Sequence, residues 1–127
     1  MLGKQLYEYA IIRLVPKVER GEFINIGVIL LSKKSNFLDM KFKVNESKLN
    51  AFSKDIDIKL VKEYLNAWQL VCEGGSKGGK IGCLEIRVRF RWLTANRSTI
   101  IQSSPVHPGF SDDPEQELDR LMLKFVL

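Results

Sequence analysis

Histidine occurs once in these 127 residues and cysteine twice. That supply falls short of the ligand clusters that zinc sites use, so neither a metal nor a cofactor is expected. Two thiols, Cys72 and Cys83, are also too few for the disulfide framework of a small secreted domain, and both are expected reduced in a bacterial-type cytoplasm. No apolar run approaches the ~20 residues that cross a bilayer, so no membrane association is expected. The opening MLGKQLYEYA lacks the apolar core and small-residue cleavage site of an export signal. Internal repeats and coiled-coil heptads are missing too. What is present is an ordinary globular composition, 45% hydrophobic and 28% charged, of a length that suits one domain over residues 1–127.

The richest stretch is YEYAIIRLVPKVERGEFINIGVILL, from Tyr7 to Leu31. Two apolar runs flank a polar connector holding Pro16 and Gly21, which predicts a β-hairpin. The first strand, Tyr7 to Val15, ends at Pro16 because proline has no N–H for the ladder. The second, Phe23 to Leu31, places Ile24, Ile26, Val28 and Leu30 on one face. Its other face carries Phe23, Ile29 and Leu31, interrupted by Asn25 and Gly27. A strand apolar on both sides belongs in the middle of a covered sheet. A third strand, Phe37 to Val44, alternates Leu38, Met40, Phe42 and Val44 with Asp39, Lys41 and Lys43, as an edge strand does after a short polar turn.

Helices follow. Asn45 caps a short one that buries Leu49 and Phe52, and Asp57 caps a longer one with the stripe Val61, Tyr64, Leu65, Trp68 and Cys72. Gly74-Gly75 stops it, and the Gly/Lys run from Gly74 to Gly82 reads as a flexible connector. Gly74 to Lys80 imitates part of a phosphate-binding loop. Ile81 stands where magnesium needs Ser or Thr, and the loop trails a helix instead of opening one, so the match is set aside. Leu84 to Ala95 is ambiguous: Ile86, Val88, Phe90 and Trp92 alternate with arginines, yet Ile86, Phe90 and Leu93 also keep helical spacing. A short strand, Ser98 to Gln102, leads to the turn-rich Ser104-Pro105-Val106-His107-Pro108-Gly109. The last helix is capped by Asp113, with Pro114 at its first position, Gln116 reaching back, and a buried stripe of Leu118, Leu121, Met122 and Phe125. The whole predicts an α+β domain: an antiparallel sheet from an N-terminal three-strand meander plus a C-terminal strand, covered by helices.

Net charge is +5, and basic residues concentrate between Lys77 and Arg97, where Lys77, Lys80, Arg87, Arg89, Arg91 and Arg97 face only Glu85. Arg91, Arg97 and Ser98 around Trp92 can offer an anion a guanidinium fork and a hydroxyl. The plainer reading makes Trp92 core and pairs the arginines with Glu85 or the acidic C-terminal turn. Asn25, among apolar neighbours, needs partners if buried, because an unpaired amide costs about 1–3 kcal/mol; the Pro105 to Gly109 backbone is the expected one. His107, with Ser98, Ser103, Ser104, Asp112 and Asp113 nearby in sequence, has the ingredients of a general base. Between two prolines it is also a natural turn residue. No catalytic residue is assigned. The candidate binding set is Asn25, Arg91, Trp92, Arg97, Ser98, Gln102, Ser104 and His107.

YEYAIIRLVP, RGEFINIGVIL, RFRWL with ANRSTIIQ, SPVHPG and the Asp112-Asp113-Pro114 turn, taken together, resemble the bacterial domain-of-unknown-function 3037 family. The likeness runs from Tyr7 to Val126. It implies a helix around RFRWL, and it implies a protein partner, a HipA-like serine/threonine kinase, whose genes often lie beside those of the family. Three functions are carried forward. The first is an interaction module presenting Ala95 to Phe110, with the basic segment matching an acidic partner. The second is nucleic-acid binding through Arg87, Arg89, Arg91 and Arg97 with Trp92 as a stacking platform. The third is a small hydrolase or phosphoryl-transfer enzyme using His107 with Ser98 or Ser104.

Overall fold

The structure, a computed structural model, describes residues 3–127. Strand β1 (Gln5–Leu14) lies inside an antiparallel sheet, with β2 (Ile24–Ser32) on one side and β3 (Phe37–Phe42) beyond it. On the other side of β1 lie two short strands end to end. β4 (Ile101–Ser103) pairs with residues 12–14 and β5 (His107–Ser111) with residues 5–9. The expected architecture is therefore present: α+β, a meander plus C-terminal strands, with helices over it.

Two details depart from the sequence reading. The stretch from Ser104 to Gly109, expected as a turn, supplies most of β5, and the preceding strand shrinks to Ile101–Ser103. An edge position tolerates Pro108, since its missing N–H is not owed to a ladder there. Ser104 bridges the break: its backbone N–H donates to Ile11 O and its Oγ accepts from Ile11 N, both at 2.8 Å. The second departure is a β-bulge. Ile12 faces Gly27 but Arg13 faces Asn25, so Ile26 is an extra residue in β2. Past the bulge the faces exchange. Ile24 and Ile26 join Ile29 and Leu31 rather than Val28 and Leu30, and Asn25 moves to the Val28 side.

Helices lie over both faces, which is why β2 carries apolar side chains on both sides. On one face Ala10, Ile12, Leu14, Ile26, Ile29 and Met40 pack against α1 (Glu46–Phe52), α2 (Ile58–Glu73) and α4 (Ile86–Thr94). On the other, Tyr7, Ile11, Val28 and Leu30 meet α5 (Pro114–Phe125). Each fully buried Leu or Ile contributes about 1.5–3 kcal/mol over its exposed form. The three expected caps are in place: Asn45, Asp57 and Asp113 accept from the amides of Lys48, Leu60 and Gln116. The amide of Asp113 is held by Ser111 Oγ at 3.0 Å, the role expected of Gln116. Leu49, Val61, Leu65, Trp68 and Cys72 are buried, but Phe52 and Tyr64 are each 37% exposed. Phe52 sits in the last turn of a seven-residue helix, and Tyr64 sits on the flank of its stripe.

The glycine-rich connector is not an open linker. Ser76–Gly78 forms a 3₁₀ turn and Gly79–Gly82 a helical turn, α3. Gly75 N–H closes the loop onto Gly82 O at 2.7 Å. Cβ atoms at Gly78 and Gly82 would fall 2.9 and 2.4 Å from the carbonyls of Leu70 and Gly75, so the loop packs closely. Among the described residues no helix is long and apolar enough to cross a membrane.

Candidate functional site

The ambiguous segment is helix α4, and helical geometry explains its double periodicity. At 100° per residue, Ile86, Phe90 and Leu93 share the side that packs on the core. Val88 and Trp92 fall on the opposite side and are exposed by 40% and 39%; Leu84, before the helix cap, is exposed by 44%. Arg87 and Arg91 flank that outer stripe; Arg87 pairs with Glu85 at 3.3 Å. Lys33 from the β2–β3 turn joins Arg87 around a cleft of about 450 Å³.

The other arginines of the basic run serve the fold. Arg89 is buried, giving Nη1 to Val71 O (2.8 Å) and Cys72 O (2.7 Å) and Nε to Leu84 O (2.9 Å). It thereby caps the carbonyl end of α2. Arg97 lies between two indoles, 5.0 Å from the Trp68 ring centroid and 4.9 Å from that of Trp92. It donates to Leu93 O and Trp92 O at the end of α4. Burial lowers its pKa from the ordinary arginine value. The stack holds Trp92 in place from behind. Ser98 is exposed in the following turn. Of the four residues expected together here, Arg91 and Trp92 face outward side by side, while Arg97 braces them from within.

The other four lie on the sheet. Ser104 is buried, its Oγ taken by Ile11 N and by Pro105 O at 2.8 Å, so its hydroxyl secures backbone and is not paired with His107. His107 faces Tyr9 across β1–β5, ring centroids 5.4 Å apart. Gln102 faces Arg13 across β1–β4, and Asn25 faces Arg13 from β2. The Asn25 amide donates to Phe125 O at 3.2 Å, at the end of α5, in place of the expected Pro105 to Gly109 backbone. The bulge that reverses the faces puts it there.

Arg13 is the residue that the candidate set omits. Its guanidinium lies 4.1 Å from the centroid of Phe23, and its buried Nε has no hydrogen-bond partner. The sequence did carry a signal: Arg13 is a lone charge inside the apolar run AIIRLV of the first strand. Among the described residues no group of three or more His, Cys, Asp or Glu could hold a metal.

A family model described as "Protein of unknown function (DUF3037)" matches residues 9–126, nearly the full length. The chain belongs to this family. The DUF3037 match takes in both arrangements, the outer stripe of α4 and the Arg13 row of the sheet. No curated protein and no solved structure matches the chain.

Proposed function

We propose that this chain is a bacterial, cytoplasmic protein-interaction module whose docking element is the outer side of α4. The observation carrying this reading is the second apolar side of that helix, Val88 and Trp92, exposed together with Leu84 just before it and left without a covering element. Tryptophan backed by a fixed guanidinium is the kind of rigid anchor that dominates interface energetics. Arg91 beside Trp92, with Lys33 and the Glu85-paired Arg87 around the neighbouring cleft, favours a partner whose contact surface is acidic. The partner we put forward, from the family resemblance, is a HipA-like serine/threonine kinase.

The test is co-expression of the chain with a HipA-like kinase of the same genome, followed by titration of the purified pair. A stoichiometric complex is expected at low salt, weakening as salt screens the rim charges. Trp92→Ala should cost about 2 kcal/mol or more of binding, and Arg91→Glu should chiefly slow association. No complex at low salt, or one indifferent to both substitutions, would defeat the reading.

A further inference from the structure

We infer that the half of the sheet face beside α5 binds single-stranded nucleic acid, with Arg13 and Lys124 taking phosphates and the aromatic side chains between and beside them taking bases.

Helix α5 packs chiefly on β2 and β3 and reaches β1 at Tyr7 and Ile11, leaving Tyr9, Arg13 and the short strands β4 and β5 at the margin of that face. Side chains two apart on β1 point to this face, so Tyr9 and Arg13 lie about 13 Å apart along it, on either side of Ile11, which is buried in the core beneath α5. At one end Arg13 is stacked on Phe23, which is 45% exposed, and lies between the carboxamides of Asn25 and Gln102. At the other, Tyr9 contacts both exposed His107 and Phe125, at 5.4 and 6.1 Å between centroids. Lys124 stands over Phe125, its Nζ 5.2 Å from the ring centroid.

Three considerations identify the ligand. Arg13 makes no ion pair among the described residues; its Nε is closed off, and the outer nitrogens of its guanidinium are what an anion would meet. Glu22, which precedes β2, is paired with Arg20, and Glu117 on α5 with Arg120. The two cations bracket rings, which is the alternation of charge and stacking surface that single strands require and that a duplex, with its bases enclosed, cannot use. The carboxamides of Asn25 and Gln102 donate to Phe125 O and Thr99 O, which leaves their oxygens as acceptors for base edges. The distance from Arg13 to the Tyr9 cluster exceeds one nucleotide, so a strand is expected to bind and a mononucleotide is not. This surface lies on the opposite side of the sheet from α4 and does not depend on the docking reading.

The experiment is fluorescence anisotropy of labelled oligonucleotides of about ten residues, DNA and RNA, in about 50 mM salt. Binding is expected with a log–log salt slope near −1.4, from about two phosphate contacts on a single strand. Arg13→Gln should weaken binding about tenfold and reduce the slope by about 0.7. His107→Ala, on the exposed edge, should weaken it about tenfold through lost stacking. Lys124→Gln repeats the charge test at an exposed position if Arg13→Gln disturbs folding. Tighter binding of RNA would show that the 2′-hydroxyl is read, and equal affinity that it is not; either agrees with the proposal. It is overturned by absence of binding, by preference for a duplex, by binding unchanged in His107→Ala and Lys124→Gln, or by binding abolished instead by Arg91→Glu on α4.

Discussion

A methyl group on Gly27 would lie 2.6 Å from the carbonyl oxygen of Lys41, 3.0 Å from Cβ of Phe42 and 3.1 Å from Cδ1 of Ile12. Backbone on one side and core on the other leave it nowhere to go. Gly27→Ala is therefore expected to destabilise the fold by about 1–3 kcal/mol, read as a lower urea midpoint at unchanged slope. The same residue marks where β2 takes its extra residue, the event that sends Asn25 toward α5. The arginines make a related point. Arg89 reaches three carbonyls and Arg97 two indoles, whereas the buried Nε of Arg13 has no partner. One side-chain type thus plays three roles, set by what surrounds it.

At the scale of elements, α5 is fastened to β1 by a buried-to-surface relay. The Tyr7 hydroxyl donates to a Glu117 carboxylate oxygen, and Arg120 clasps the same carboxylate through Nε and Nη2, each at 2.7 Å. Arg120 and then the Tyr7 hydroxyl hold the Glu117 carboxyl below the usual range. Burial, reinforced by Glu117, pushes the Tyr7 hydroxyl up to about 12. The signs give two flanks. A depressed carboxyl contributes stability that is complete above the ordinary glutamate range and is lost as pH falls through its folded value. A raised phenol contributes stability that is complete below pH 10 and is lost between about 10 and 12. Melting temperature measured across pH should fall on both flanks, and Tyr7→Phe should flatten the alkaline one. An alkaline flank unchanged in Tyr7→Phe would exclude this hydroxyl as its source. The ends of α5 were visible in the chain because Asp113-Pro114 is a strong start signal. Its attachment was not, since Tyr7 and Glu117 are 110 residues apart.

Across the whole molecule, two apolar cores on opposite faces of one sheet separate buried chemistry from exposed. Cys72 sits in the α2 core, where burial raises its thiol pKa well above the ordinary value, while Cys83 is exposed just before α4. Thiol labelling of the native protein should modify Cys83 alone, with Cys72 reacting only in denaturant. Mass spectrometry of the labelled peptides reads this directly, and early labelling of Cys72 would mean that the α2 face opens more readily than its packing implies. The outer side of α4 and the Arg13 row lie on opposite sides of that sheet, so the two proposals concern different surfaces and are tested independently.

Local pattern determined the three capped helices, the meander and the burial of the second strand, because periodicity and capping act over a few residues. The family likeness was what resolved α4, whose arginine alternation reads equally well as a strand. Tertiary structure alone decided which apolar residues share a face, since a single bulge reverses every side chain beyond it. It also turned the proline-bounded stretch from Ser104 into an edge strand and chose which arginines point inward. Those outcomes depend on carbonyls, rings and strand partners brought close from far along the chain, and no window of neighbouring residues contains them.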